Sequence, residues 1–364
     1  MSTAPAADIA VVGAGIIGLA TAERLAAHGA RVVLIDDTGA TGGATSASGG
    51  LVRAFDPTAT HAAWAAEGCT TYRHRGHHGT WPHLRAHGSL TLLERDTLTT
   101  ARPALATAHA AGHTAHVLDA RQITRHFPAL RVPDHLLAVH EPHAGWLPAP
   151  DLTRALLRET TTHPATRLLT TRATALLTRP GRRRVHGVHT TSGPVHADAV
   201  LLAAGAASTP LAATAGIHLP LTTRAVGYCL FHIDDTTHLT HLPTLVDTTT
   251  GAWLRRWDDD HTVLAGVHST RTDVPPTVRH HVTPDEEHRI RTVVRERFPP
   301  LAHARAVGGV SAYDALIPHT PATVTRWNDA PGLVTAVGWN GGGLKLAPAV
   351  ARHTATELLK AATR

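Results

Sequence analysis

Three glycines spaced as Gly13-Ala14-Gly15-Ile16-Ile17-Gly18 follow the apolar run Ile9 to Val12 and precede a helical pattern that ends near His28. Residues of these types at this spacing can hold a pyrophosphate. Gly13 allows a tight turn, Gly15 lets the ligand reach the backbone, Ile16 and Ile17 present amides at a helix start, and Gly18 lets that helix lie close to its strand. The next apolar run, Arg31 to Ile35, ends in Asp36 with Asp37 beside it, where a carboxylate would accept both ribose hydroxyls. Strand, turn, helix, second strand and terminal acid within about 30 residues give the glycine pattern its meaning. On these residues alone the dinucleotide could be NAD or FAD.

A second apparatus of this kind lies at the other end of the chain. Gly332 to Val337 reads as an apolar strand, Gly338-Trp339-Asn340-Gly341-Gly342-Gly343-Leu344-Lys345 as a glycine loop, and Pro348 to about Leu359 as a helix. Pro348 suits a first helical turn, whose positive end would face an anion or a partly negative carbonyl. Lys345 and Lys360 are the only lysines, and arginine serves almost everywhere else a cation is wanted. A compact ammonium at 345 therefore reads as selected for its geometry. The small-residue segment Thr38 to Gly50 can also lie close to a ligand, with Thr45, Ser46, Gly49 and Gly50 as candidates, and it leads into Leu51-Val52-Arg53. Asp198 to Leu202 followed by Ala203-Ala204-Gly205-Ala206 fits a buried parallel strand reaching the same ligand.

Other elements must carry these loops. A helical pattern runs from His61 to about Arg75, and Leu90 to Leu93 reads as a short strand. Asp151 is a fair N-cap for a helix through Arg158. Leu168 to Leu177, Val185 to Thr190 and Val195 to Ala197 read as strands, with turns at Pro180-Gly181 and Ser192-Gly193 and the run Gly181 to Arg184 as a hairpin turn. Alternating runs such as Ala225 to Ile233 and His261 to His268, around one helix near Pro284 to Phe298, point to a mainly antiparallel second domain. A chain of 364 residues suits about two domains.

The net charge of +6 comes from arginines scattered along the chain rather than one basic stripe with stacking aromatics, which argues against nucleic acid as a partner. Cys69 and Cys229 lie far apart, without a C-x-x-C motif, so neither a disulfide framework nor a cysteine zinc site is expected. The 30 histidines invite a metal reading, above all at His74, His77 and His78, but that spacing is not one that sets ligands on one face of an element. No secretory signal fits before the fingerprint and no apolar run approaches a membrane span, so a soluble cytoplasmic protein is expected.

In this order the landmarks resemble the FAD-dependent amine and amino-acid oxidoreductases, the group of D-amino-acid oxidase, glycine oxidase and sarcosine oxidase, and within it the sarcosine oxidase branch. The resemblance implies an α/β chain, α+β overall, in which a Rossmann-like FAD-binding domain (1–80, 150–222 and 318–364) is interrupted by a mainly antiparallel substrate-binding domain (81–149 and 223–317). It implies that Arg53 and Lys345 hold a substrate carboxylate, that His268 and Tyr313 serve the active site, and that Trp253 forms an aromatic wall. As residues alone, His268 and Tyr313 could equally be hydrogen-bonded core groups. Two departures stand out. Ser311 occupies the place of a flavin-attaching cysteine, so FAD is expected to be non-covalent, and Leu264 occupies the place of an oxygen-activating lysine.

The implied reaction is oxidation of the C–N bond of an amino acid or N-alkyl amino acid by hydride transfer to flavin N5, giving an imine that hydrolyses, with oxygen as acceptor. The alternative is a dehydrogenase that passes electrons to a protein or quinone. A nicotinamide enzyme would leave the Gly338 to Lys345 block without a use, and a non-catalytic metal-binding protein would leave Lys345 without one.

Overall fold

The computed structural model describes residues 6–40, 42–179, 182–275, 281–318, 322 and 324–362. The chain begins with β1 (Ala6–Val12), α1 (Ile16–Ala27), β2 (Val32–Asp36), β3 (Leu51–Val52), α2 (Ala59–His77), β4 (Ser89–Glu94), α3 (Arg95–Ala110), β5 (His116–Asp119) and α4 (Ala120–His126). It continues through β6 (Leu136–Glu141), β7 (Gly145–Trp146), α5 (Ala149–Thr162), β8 (Thr166–Thr170), β9 (Ala173–Arg179), β10 (Arg182–Thr190), β11 (Gly193–Leu202) and α6 (Ser208–Ala213). The last third holds β12 (Thr222–His232), β13 (Thr244–Asp247), β14 (Ala252–Arg256), β15 (Thr262–Val267), α7 (Pro284–Val294), β16 (Arg305–Leu316), β17 (Val324–Arg326), β18 (Leu333–Ala336) and α8 (Gly343–Ala362).

Two compact units result, each assembled from separated stretches. One comprises Met1–Ser48, Ala149–Thr223 and Asp314–Arg364, and the other Gly49–Pro148 and Arg224–Tyr313. Residues 49–80, which the sequence reading assigns to the nucleotide unit, thus pack with the second one.

In the first unit the strands run β17-β18-β11-β1-β2-β8. The neighbours β18, β11, β1, β2 and β8 are parallel. β1, β2 and the end of β11 are continuous apolar runs because both faces are covered, and α1 packs between α8 and α5. Only the ends of β11 differ in partner: its first half pairs antiparallel with β10, which pairs with β9.

The second unit carries an eight-stranded sheet ordered β16-β12-β15-β14-β13-β4-β6-β5, antiparallel at every pairing described except β13 with β4. One face of its central strands, with Leu254, Val263, Ala265 and Val267, joins Ile290, Val294 and Phe298 in an apolar core. The other face carries Tyr228, Trp253, Arg255 and Leu264, since side chains alternate along a strand.

Several expectations need correction. Leu168 to Leu177 is not one strand: the chain breaks at Thr171, whose N–H turns to the Asp36 carbonyl, separating β8 from β9. The arginine run Arg182 to Arg184 starts β10 rather than forming a turn, and Pro180-Gly181 lies outside the described residues. Asp151 is not an N-cap, because α5 starts at Ala149 and places it in the first turn, paired with Arg154. The 284–298 helix stops at Val294. α8 starts at Gly343, five residues before Pro348, which therefore lies in its second turn.

Candidate functional site

The parallel register brings the sequence landmarks of the first unit into one row. Val12 stands beside Leu202 and Ile35, and Leu202 beside Thr335. The residues that follow, Gly13, Ala203, Asp36 and Ala336, therefore leave the sheet at one level, at the carboxyl ends of the strands, where open α/β sheets bind ligands. Gly13 has φ +102°, and a Cβ there would lie 2.6 Å from the Ala203 carbonyl oxygen. At Gly18 a Cβ would fall 1.8 Å from the Gly13 carbonyl oxygen, so the glycine is what lets α1 close onto β1. Gly15 is different: its φ of −70° suits any residue, and a Cβ would meet only Thr45 Oγ1, at 3.4 Å. No other part of the fold stands within 4 Å of that position.

Donors and a carboxylate surround that opening. Ile16 N–H donates to Thr45 Oγ1 at 3.1 Å, while Ile17 and Gly18 lie in the first turn of α1, whose amides have no acceptor inside the helix. Ser46 is turned back on its own loop, donating to the Gly43 carbonyl at 2.8 Å. Asp36 Oδ2 accepts from Ala14 N–H at 2.8 Å, and Oδ1 accepts from Thr38 N–H and hydroxyl. Burial resists ionisation of this carboxyl, but the bonds from Ala14, Thr38 and Ala40 outweigh it and hold its pKa below the ordinary value. The neighbouring Asp37 pairs with Arg172 at 3.2 Å on the surface.

Ala204 N–H donates to Ser208 Oγ at 3.1 Å, and Gly205 takes a positive φ of +54°. In the C-terminal loop, Gly338 has φ +77° and no room for a Cβ, which would meet Ile317 at 2.4 Å. Asn340 spends its amide on the chain: Oδ1 accepts from Ile317 N–H at 3.0 Å and Nδ2 donates to the Ile317 carbonyl at 3.2 Å. It shapes the loop, a role its residue type alone did not reveal. Gly341 and Gly342 close the turn onto Trp339, and Gly343 opens α8. Leu344 and Lys345 follow in its first turn, both buried, with Lys345 only 6% exposed.

In the second unit, Gly49 and Gly50 precede β3. Gly50 has φ +73°, and its carbonyl accepts from Leu147 N–H at 2.8 Å. Arg53 follows β3 half-buried, and its buried Nε has no hydrogen-bond partner among the described residues. Trp253 lies against Gly49 and Gly266. His268 directly follows β15, with its side chain against Gly251, and its carbonyl accepts from Arg289. The residue as a whole is exposed, so burial acts only on the enclosed part of the ring. Burial and the charges of Arg224 and Arg289 all push the imidazole below its ordinary value. A histidine so placed stays neutral at neutral pH. Tyr313 lies half-buried near the end of β16. Ser311, two residues earlier, donates to Glu286 Oε1 at 3.3 Å, and Leu264 is fully buried opposite Arg255.

Arg255 itself escaped the sequence reading, because in the run Leu254-Arg255-Arg256-Trp257 nothing marks one arginine as buried. It is 3% exposed, stacked 3.7 Å over the Trp146 ring and 4.7 Å over the Trp257 ring. Among the described residues, no group of three or more His, Cys, Asp or Glu side chains is placed to hold a metal ion, and no helix is long and apolar enough to cross a membrane.

Residues 8–357 match the protein family described as FAD dependent oxidoreductase (DAO). Among solved structures, the chain is similar to L-proline dehydrogenase from P. horikoshii, with 19% identity, 98% of this chain and 94% of that one covered, and a TM-score of 0.85. Glycine oxidase from Geobacillus kaustophilus follows at 20% identity, 98% and 95% coverage and a TM-score of 0.80. Iminodiacetate oxidase from Chelativorans sp. BNC1 shows 22% identity, 97% and 95% coverage and a TM-score of 0.76. At these identities the likeness is one of fold. No curated protein matches the sequence.

Proposed function

The chain belongs to the FAD dependent oxidoreductase family, and from that premise we propose that it oxidises the C–N bond of a small amino acid or N-alkyl amino acid. The observation that carries the substrate class is Lys345, a buried ammonium at the positive end of α8, where a cation is placed against the helix dipole. A carboxylate offsets both charges. Arg53, whose buried Nε has no hydrogen-bond partner among the described residues, gives a second cationic side chain. Names of the fold neighbours, an L-proline dehydrogenase, a glycine oxidase and an iminodiacetate oxidase, agree with a carboxylate-bearing amine.

The first unit's strand-end row fits FAD. The open face of Gly15, the α1 amides of Ile16, Ile17 and Gly18, and an ionised Asp36 suit a pyrophosphate and a ribose, with Thr45, Ala204, Gly205 and the Gly338–Leu344 loop beside them. Bound FAD supplies a hydride acceptor at N5, and the imine product is hydrolysed by water. Arg53 and Lys345 bind the carboxylate through charge-assisted hydrogen bonds and so orient the amine-bearing carbon. The reacting form is the free amine, whose lone pair assists the loss of hydride, and His268, neutral, offers a ring nitrogen as a hydrogen-bond partner for it. Tyr313 offers a hydroxyl that orients the substrate, and the α8 N-terminus holds negative charge nearby. FAD is held without a covalent bond, because Cys69 and Cys229 are both buried and Ser311 is committed to Glu286. Both cysteines are free, as a reducing cytoplasm allows.

A second reading concerns the acceptor. Leu264 is a fully buried apolar residue, and the cation across from it, Arg255, is occupied by a carbonyl and two indoles. That favours a protein or quinone acceptor over oxygen. The decisive experiment is anaerobic flavin bleaching across D-amino acids, glycine, N-methyl amino acids and cyclic imino acids, followed by stopped-flow reoxidation with oxygen or dye. Bleaching by none of them overturns the substrate class, and rapid reoxidation by oxygen overturns the second reading.

A further inference from the structure

A buried guanidinium with no carboxylate against it is expensive, and Arg255 is one. Its Nε donates to the Gly49 carbonyl at 2.6 Å and its Nη1 to the Arg256 carbonyl at 2.7 Å, between the two indoles. No ion pair to it occurs among the described residues. Asp258, the charge that most favours its ionised form, is bound to Arg85 at 3.2 Å. A second buried ionisable side chain meets the same segment farther on. Glu141, 2% exposed, accepts from the N–H groups of Ala54 and Phe55 through Oε1, at 2.8 and 3.1 Å. Between these points Leu51 and Val52 pair with Trp146 and Gly145, so Trp146 is at once strand partner and stacking platform.

We propose that Arg255 and Glu141 are positioning residues that clamp the Gly49–Phe55 segment at its two ends and thereby hold Arg53 where it receives a carboxylate. A neutral donor would satisfy one carbonyl at lower desolvation cost, whereas the guanidinium makes its bonds charge-assisted and stiff, and the Glu141 carboxyl ties two successive amides through one oxygen. The stacked indoles fix the plane of the guanidinium, so its fork points one way. The one charged residue inside the clamped run is Arg53. An arginine side chain has several rotatable bonds, and an anchored backbone at Gly49 and at Ala54 removes one source of misplacement. The part of the proposal that concerns Arg53 rests on the carboxylate reading above.

The test uses the flavin-loaded enzyme with Arg255→Lys, Arg255→Met and Glu141→Gln, each alone and combined with Arg53→Ala. Lysine keeps the charge without the fork, so it remains informative if the methionine variant does not fold. Hydrogen exchange by mass spectrometry reads the peptide over 49–55, and the flavin absorbance change on adding benzoate reads carboxylate affinity. We expect Arg255→Lys to speed exchange in 49–55 and weaken benzoate by about tenfold, with flavin content retained. In the Arg53→Ala background the same change should add no further loss of benzoate affinity. Unchanged exchange over 49–55 in all three variants overturns the clamp. An equal benzoate loss with and without Arg53 overturns its action through Arg53. If Arg53→Ala alone binds benzoate as the parent does, the carboxylate reading falls, and the exchange measurement still decides whether the segment is clamped.

Discussion

Lys345 is where residue chemistry and position meet most sharply, because a chain that uses arginine for its surface cations buries a lysine at a helix start. If Lys345 and Arg53 both hold the substrate carboxylate, Lys345→Met and Arg53→Ala should each cost about 2–4 kcal/mol in kcat/KM while flavin content and melting temperature stay near the parent's. Lys345→Arg should also impair catalysis, since a planar fork does not replace a compact charge in a tight turn. Steady-state kinetics on the best bleaching substrate checks both. His140 gives a separate prediction. Burial, then the charges of His116 and His126, push its imidazole down to about 4. Its pKa in the folded state is therefore below the unfolded value, and the unfolded chain takes up the proton first as pH falls. Stability should drop from pH 6.5 toward 4 with a slope of up to about 1.4 kcal/mol per pH unit from this group. The variant His140→Leu should flatten that slope in urea titrations across the range, and an unchanged slope would show that other groups govern it.

At the scale of elements, the turn between β1 and α1 separates two kinds of glycine. Gly18 is needed by the fold, because its Cβ would overlap backbone, whereas a Cβ on Gly15 would meet only Thr45 Oγ1, and the proposed pyrophosphate is what calls for a glycine there. Gly18→Ala should destabilise the flavin-free protein by at least about 2 kcal/mol. Gly15→Ala should change it by no more than about 1 kcal/mol and still fail to retain flavin. Denaturant unfolding of both apoproteins, with flavin absorbance of the purified variants, separates these effects; Gly15→Ala with full flavin content would move the pyrophosphate elsewhere. The β1-turn-α1-β2 unit was legible in the sequence because most of what defines it is local: Gly18 closes onto Gly13 and Asp36 binds Ala14, whereas the contact of Gly13 with Ala203 is not. The start of α8 was not legible to the same degree. Its first turn is glycine and leucine rather than a capping residue, so Pro348 drew the boundary five residues late.

Over the whole molecule, each unit depends on contacts between distant stretches. In the second, Asp247 is fully buried, accepts from Thr249 and Thr250, and pairs with Arg297 at 2.7 Å. Those hydroxyl and amide bonds, with the guanidinium, hold its pKa below the ordinary value against the opposing effect of burial. Arg297→Met leaves that carboxylate buried without its cation and should cost about 3–5 kcal/mol in thermal or urea unfolding. A loss below 1 kcal/mol would mean the threonines alone suffice.

The sequence by itself determined the chemistry that short spacing can encode: the glycine turn, the terminal Asp36, the glycine loop ahead of a C-terminal helix, and Lys345, one of only two lysines, at its end. Tertiary structure decided what those groups stand beside. Nothing local says that Ala203 meets Gly13, because parallel strands join across long connections and their register is set by burial of both faces. Nor does residue type say where a polar group spends its bonds: Asn340 ties Ile317, Asp37 pairs with Arg172, and Arg255 lies buried while Arg256 beside it pairs with Asp260. Alternation along a strand assigns neighbouring side chains to opposite faces, but only the assembled sheet fixes which face is enclosed. For the same reason residues 49–80 follow the fingerprint in sequence yet pack with the second unit, where Glu141 and Trp146 hold the segment that carries Arg53.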